Sequence, residues 1–272
     1  VGMAISEKMS ATRLNTTEHR IIDHTIYCLA GDGCLMEGIS SEASSLAGHL
    51  NLNNLIVIYD SNDICLDGPT TECFTENVED RYIAYGWEVL HVDGHNIESI
   101  DEVYKQAKAA SKPVLIIAKT QIGYGSPNRA NSSEAHGKPL GKEEGRLTKT
   151  NLDIQEAAFE IDPEVYEFFK KKDLSQRALN ESWDTVYKSW AVSNPEKSQL
   201  LNDLSSTYID DTLIEAISSC KVKENCASRS SSQALIQEIA SNYPRLLGGS
   251  ADLSCSDSTF IKSSGHIEAD EF

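Results

Sequence analysis

Between residues 25 and 119 the chain alternates short runs of β-branched, aliphatic and aromatic residues with stretches whose apolar positions recur every three or four residues. Thr25–Leu29 (TIYCL), Leu55–Tyr59 (LIVIY), Trp87–Val92 (WEVLHV) and Val114–Ala118 (VLIIA) have strand length and too few polar positions for a solvated face. They predict strands buried on both sides. Glu37–Leu50 and Ile97–Ser111 carry helical spacing. Strand, helix, strand, helix in this order predicts an α/β fold, a parallel sheet with helices on both faces. Ligands bind such sheets at the carboxyl ends of the strands. There the chain places Gly31-Asp32-Gly33, Asp60-Ser61-Asn62-Asp63, Asp93-Gly94-His95-Asn96 and Gly123-Tyr124-Gly125-Ser126. Any one of these turns, taken alone, is what a sheet of this kind needs for chain reversal. The third reads as a helix start, with His95 or Asn96 at its beginning.

Further on, Gln121–Arg146 is rich in Gly, Ser, Asn and Lys without apolar period, a loop long enough to be functional. Asp162-Pro163 predicts a helix with an N-cap and an N1 proline. Leu179, Trp183, Val186 and Trp190 mark one face of another helix and predict core, and Ser193-Asn194-Pro195 ends it. Ser228–Tyr243 has helical spacing, and Leu246–Asp252 (LLGGSAD) resembles a strand and its turn, the start of a second α/β domain. The expected organisation is a first domain over 1–205, a linker over 206–222 and a second, incomplete domain over 223–272.

Composition narrows the classes. Of 272 residues 40% are hydrophobic and 24% charged, and the mean hydropathy of -0.36 is that of a globular protein. The net charge is -18 (24 Lys and Arg against 42 Asp and Glu), spread over the whole chain, so nucleic acid is not an expected partner. No apolar run approaches the roughly 20 residues of a membrane span. An anionic ligand must therefore be held by a metal ion or by a few well-placed cations. Seven cysteines without a CxxC pair fit reduced thiols in the cytoplasm. The opening Val1-Gly2-Met3-Ala4 has no signal pattern and lacks an initiating Met, which raises the expectation of a longer product.

Gly31-Asp32-Gly33 does not begin a dinucleotide fingerprint, because the next glycine is Gly38. An Asp between the glycines would point a carboxylate at a bound diphosphate, which two anions tolerate only across a cation. Mg²⁺ suits that place, since it takes oxygen ligands and joins carboxylates to phosphates. Asn62 follows Asp32 by one strand, one helix and one strand, so both can face one crevice. Asp32, Asn62 and the carbonyl of Ile64 are the candidate metal ligands. Gly33 lets the backbone approach the phosphate, aided by a helix beginning near Glu37.

The GDG with its later Asn resembles the thiamine diphosphate signature. GDGCLMEGISSEASSLAGHL (31–50), YGWEV (85–89), IGYGS (122–126), HGKPLG (136–141) and GGSADL (248–253) together resemble the transketolase family over essentially the whole chain. The resemblance implies a thiamine diphosphate-binding fold followed by the start of the pyrimidine-binding domain. It implies transfer of a two-carbon ketol unit from a ketose phosphate to an aldose phosphate in the pentose phosphate pathway, with Mg²⁺ (or Ca²⁺ or Mn²⁺), in a homodimer. By the same resemblance Asp32, Gly33, Asn62, His136 and Asp252 are cofactor contacts. His136 is also a catalytic and substrate residue, and Arg229 and Ser256 hold the substrate phosphate. Glu37 and Glu42 match acidic interface positions, with a charged helix start as their plain alternative. Ser254-Cys255-Ser256-Asp257 departs from the family pattern by placing an Asp beside the phosphate-binding Ser. The family's upstream histidines, aminopyrimidine loop and downstream glutamate have no match here. The expectation is a central fragment, inactive by itself and with an unpaired sheet edge. Two other readings stand beside it: another thiamine enzyme such as dihydroxyacetone synthase, or a non-catalytic remnant serving as binding module or subunit.

Overall fold

The four apolar runs pair into one parallel sheet because each offers side chains on both faces that only burial satisfies. In the structure, a computed structural model, residues 1–272 are described except 156, 158, 207, 210 and 244. The strands are β1 (Ile26–Gly31), β2 (Leu55–Ser61), β3 (Glu88–Asp93) and β4 (Val114–Lys119), in the spatial order β1-β2-β4-β3. Each runs past its apolar stretch, because the ladder continues into the polar turns: Gly31 pairs with Asp60, and Lys119 with both Ser61 and Asp93. All four carboxyl ends therefore share one edge.

The helices of this unit are α1 (Gly2–Leu14), α2 (Asp32–Met36), α3 (Gly38–His49), α4 (Val78–Ala84), α5 (Ile97–Ala109) and α6 (Lys142–Asn151), with α7 (Pro163–Ser193) beyond. Val103 and Ala107 of α5 are buried against Ile56, Val114 and Ile116. Side chains alternate across a sheet, and the opposite-facing Leu55, Val57, Tyr59 and Leu115 are buried too. Both faces are covered over β2 and β4, where each such aliphatic side chain contributes about 1.5–3 kcal/mol. The edge strand β1, expected to be buried on both sides, instead leaves Tyr27 and Leu29 exposed, Leu29 at 75%. Trp87 donates to the Ser44 carbonyl at 2.8 Å and meets Tyr82 edge-on at 5.1 Å. Gly48 permits this approach: a Cβ there would lie 1.8 Å from the Tyr85 carbonyl oxygen.

The described residues divide into two compact units, Val1–Val186 with Glu268–Phe272, and Tyr187–Ile267. The second contains α8 (Pro195–Ser205), α9 (Asp211–Ser219), α10 (Ser228–Asn242) and α11 (Ser254–Asp257). Within the expected linker 206–222, residues 207 and 210 lie outside the described residues.

Four further expectations change. The two helices expected between Asp162 and Ser193 are one, α7, begun by Asp162 accepting the Glu164 amide at 2.7 Å and free of Gly or internal Pro. Of its expected core face only Trp190 is buried, while Leu179 is 64% exposed and Trp183 44%. Leu246–Asp252 forms no strand, since no described strand lies beside it to complete a ladder. Lys142–Arg146, read as loop, opens α6.

Candidate functional site

The helix following β1 starts inside the glycine pair, with Asp32 in the first turn of α2, and α3 begins separately at Gly38. That places the Asp32 carboxylate, buried at 4% exposure, against the end of the neighbouring strand. Its Oδ1 accepts the Tyr59 hydroxyl at 2.6 Å and its Oδ2 accepts the Asn62 amide at 3.1 Å. Burial, followed by this hydrogen bond, pushes the Tyr59 hydroxyl far above its ordinary pKa, so it remains a donor to the carboxylate.

Asn62 Oδ1 accepts the Ile64 amide at 3.1 Å across Asp63, whose φ of 64° is the left-handed conformation that Asp tolerates in turns. The Ile64–Pro69 bridge and the Asp63 carbonyl's bond to the Thr70 amide close the turn. Cys65, just beyond, has its thiol pushed up by burial and then by the Asp32 charge, which makes it a poor nucleophile. The adjacent strand end is tied in by Thr120, whose hydroxyl donates to Asp60.

From the fourth strand end the chain enters the glycine-rich loop. His95 Nε2 accepts the Gln121 amide at 2.9 Å, and the imidazole stacks on Tyr124 at 4.2 Å. Asn96 caps α5 through the Ser99 amide at 3.0 Å, so the third turn is the helix start read from sequence. The loop brings His136 to the strand ends with its Nδ1 buried and without a hydrogen-bond partner.

These elements enclose a cleft of about 840 Å³, within the roughly 300–1,000 Å³ usual for small-molecule sites. Leu29, Ile58, Val103 and Ile116 form an apolar wall, while Asp32, Gly33, Asn62, Ile64 and His136 all line the cleft. Side chains at Gly31 or Gly33 would meet no atom within 4 Å, so the backbone is left bare beside open space. Among the described residues no three His, Cys, Asp or Glu side chains cluster as a metal site. The oxygen set of one carboxylate, one amide and one carbonyl suits a hard cation that also takes phosphate oxygens. The bare glycines, the buried carboxylate and the unpartnered imidazole fit an anionic cofactor held through such a cation.

Glu37, between α2 and α3, lines the cleft, and Glu42 lies exposed on α3. Arg229 at the start of α10, Asp252 and Ser256 of α11 belong to the second unit and are exposed. Asp252 has φ 64° and stands one residue before the Leu253 N-cap. The Asp257 carboxylate beside Ser256 accepts the Thr259 hydroxyl at 2.7 Å and Ser250 Oγ at 2.8 Å.

Sequence reasoning missed Tyr59 and Glu144. A tyrosine inside a buried strand needs a hydroxyl partner, which was the available signal for Tyr59. Glu144 falls in the stretch read as loop, yet it is buried and accepts the Ser126 hydroxyl and both amide groups of Asn128.

The fold and cleft define a parallel α/β domain with a ligand-sized cleft at its strand ends. Residues 1–209 match the family described as transketolase, thiamine diphosphate binding domain. The transketolase of Halalkalibacterium halodurans is 40% identical over the whole chain, which spans 41% of that relative. A transketolase structure from Leishmania mexicana superposes with a TM-score of 0.87 at 32% identity, covering 96% of this chain and 39% of that one. A Pichia stipitis transketolase solved in complex with sedoheptulose 7-phosphate gives 0.86 at 33%, with the same coverage. The chain belongs to the transketolase family, with residues 1–209 in its thiamine diphosphate binding domain. It spans about two fifths of the length of the relatives it matches. Among the described residues no helix is long and apolar enough to cross a membrane.

Proposed function

We propose that this chain supplies the diphosphate- and metal-binding part of a transketolase, which transfers a two-carbon ketol unit from a ketose phosphate to an aldose phosphate. The observation that carries this reading is the buried Asp32 carboxylate, fixed by Tyr59 and the Asn62 amide at the polar end of the cleft. Asp32, Asn62 and the Ile64 carbonyl would hold Mg²⁺, or Ca²⁺ or Mn²⁺ in its place. Gly33 and Asn62 would meet the diphosphate. When bound, thiamine diphosphate supplies the carbanion chemistry that breaks and remakes the carbon–carbon bond.

The protein's own part is binding, orientation and proton handling. His136 would donate to a phosphate or move a proton at a sugar hydroxyl through its unpartnered Nδ1. Arg229 would grip the terminal phosphate with its planar guanidinium, assisted by Ser256. Asp252 would lie near the cofactor. We place the diphosphate-binding domain at 1–205, the linker at 206–222 and the beginning of the pyrimidine-binding domain at 223–272. We assign the complete protein to the pentose phosphate pathway, in the cytoplasm and as a homodimer, with Glu37 and Glu42 at the subunit interface.

The test uses the complete protein, a ketose phosphate donor and ribose 5-phosphate as acceptor. Turnover should require thiamine diphosphate and a divalent cation, and Asp32→Ala should remove it. Turnover untouched by Asp32→Ala would sink the site assignment. Preference for formaldehyde over ribose 5-phosphate would shift the reading to dihydroxyacetone synthase, and calorimetric silence toward cofactor and Mg²⁺ would shift it to a binding remnant.

A further inference from the structure

The loop that carries His136 has little regular structure of its own, yet it is closed at several points, and these converge on one side chain of the next helix. Glu144, in the first turn of α6, is buried at 9% exposure. Its Oε1 accepts the Ser126 hydroxyl and the Asn128 amide, the latter at 2.9 Å, and its Oε2 accepts Asn128 Nδ2 at 2.9 Å. Three donors from one turn thus converge on one carboxylate. They hold its pKa below the usual range, Ser126 contributing most, so it stays an acceptor at neutral pH.

From there the order passes towards His136. Ser126 Oγ accepts the Arg129 amide at 3.1 Å, and the Arg129 carbonyl accepts Ser132 Oγ at 2.8 Å. Arg129 Nη1 donates to the Pro139 carbonyl at 3.3 Å, three residues past His136. On the other side Gly123, at φ 65°, lies so close to Ala135 that a Cβ there would stand 2.9 Å from the alanine methyl. Asn131 donates to the Ile122 carbonyl at 3.0 Å. His136 is thereby bracketed on both sides: past it by the Pro139 carbonyl, held by Arg129 on Ser126, and before it by Ala135 against Gly123, whose carbonyl accepts the Ser126 amide at 2.9 Å.

We infer that Glu144 is a positioning residue: by gathering Ser126 and Asn128 it sets the loop that holds His136 in the cleft. The catalytic part of this inference rests on the proposed function above; the positioning part does not. Neither Glu144 nor Ser126 lines the cleft, so any effect on the reaction passes through the loop.

The test is a double-mutant cycle in the complete protein. Glu144→Ala should lower kcat/KM by roughly 10- to 100-fold, the cost of a catalytic group displaced by about an ångström. His136→Ala should lower it at least as much, and the double variant should match His136→Ala within about twofold. Glu144→Gln, which keeps one acceptor oxygen, should restore part of the loss. Multiplying losses in the double variant would overturn the inference. If Glu144→Ala does not fold, Ser126→Ala takes its place in the cycle.

A readout independent of activity separates this inference from the functional one. With fluorohistidine incorporated, the fluorine resonance that His136→Ala removes should shift or broaden in Glu144→Ala and stay fixed in Asp257→Asn. An unmoved resonance in Glu144→Ala overturns the positioning role. A moved resonance in a complete protein without ketol transfer leaves that role standing and sinks only the functional reading.

Discussion

Two loops in this chain bear proposed ligand contacts, and in each a carboxylate collects the hydroxyls. In the first unit Glu144 reaches back from α6 to a turn 16 to 18 residues earlier, and its carboxylate is buried. In the second, Asp257 takes Ser250 Oγ, the Thr259 hydroxyl and the Thr259 amide, all within seven residues of itself. The glycines differ in the same way. Gly123 and Gly125 have φ of 65° and 84° and are packed against Ala135 and Leu152, whereas Gly248 and Gly249 meet nothing within 4 Å. The first loop takes its shape from what packs beneath it. The second takes its shape from its neighbours in sequence.

The largest expected effect lies in the glycines. Gly125→Ala adds a Cβ 2.6 Å from Leu152 Cγ in a left-handed conformation and should cost about 1–3 kcal/mol in denaturant unfolding. Gly249→Ala should stay within about 0.5 kcal/mol of the parent. Equal losses at the two sites would erase the contrast between the loops.

The buried partner of the candidate metal site sharpens it further. Tyr59→Phe removes the donor held 2.6 Å from Asp32 and should weaken Mg²⁺-dependent binding in the complete protein about tenfold. Thr259→Val, which removes a hydroxyl from Asp257, should leave that affinity unchanged in the same titration.

The smallest effect is that of pH. Both carboxyls titrate below their ordinary values, Glu144 chiefly through Ser126 and Asp257 chiefly through Thr259. A depressed folded value means stabilisation that is complete above the ordinary carboxylate range and lost as pH falls through the lowered value. Hydrogen exchange should therefore show the Asn128 and Arg129 amides losing protection on acidification. The Thr259 amide should follow by a smaller factor, because its carboxylate is screened by solvent. Protection that rose in acid would reverse the assigned sign.

Much of the first unit was legible because its signals are local. LIVIY and VLIIA are apolar at every position, and no conformation other than a buried strand or helix satisfies such runs. Their length and branching favour the strand. Asp32 and Asn62 were found as a pair because one βαβ step separates them. Asp162-Pro163 announced α7, and the absence of a breaker before Asn194-Pro195 was a signal for one helix rather than two. Leu246–Asp252 misled because an apolar run is necessary for a strand but a hydrogen-bonded neighbour completes it.

The amino-acid order alone determined the four strands, α3, α5 and α10, and the pair of oxygens at adjacent strand ends, since each depends on periodicity or on a fixed spacing. Only the tertiary structure decided that β4 lies between β2 and β3, that Tyr59 donates to Asp32, and that Glu144 gathers the loop around His136. Those contacts join residues with no common period. They form where the folded backbone brings a buried acceptor and a buried donor together, each of which would otherwise lose water without replacement.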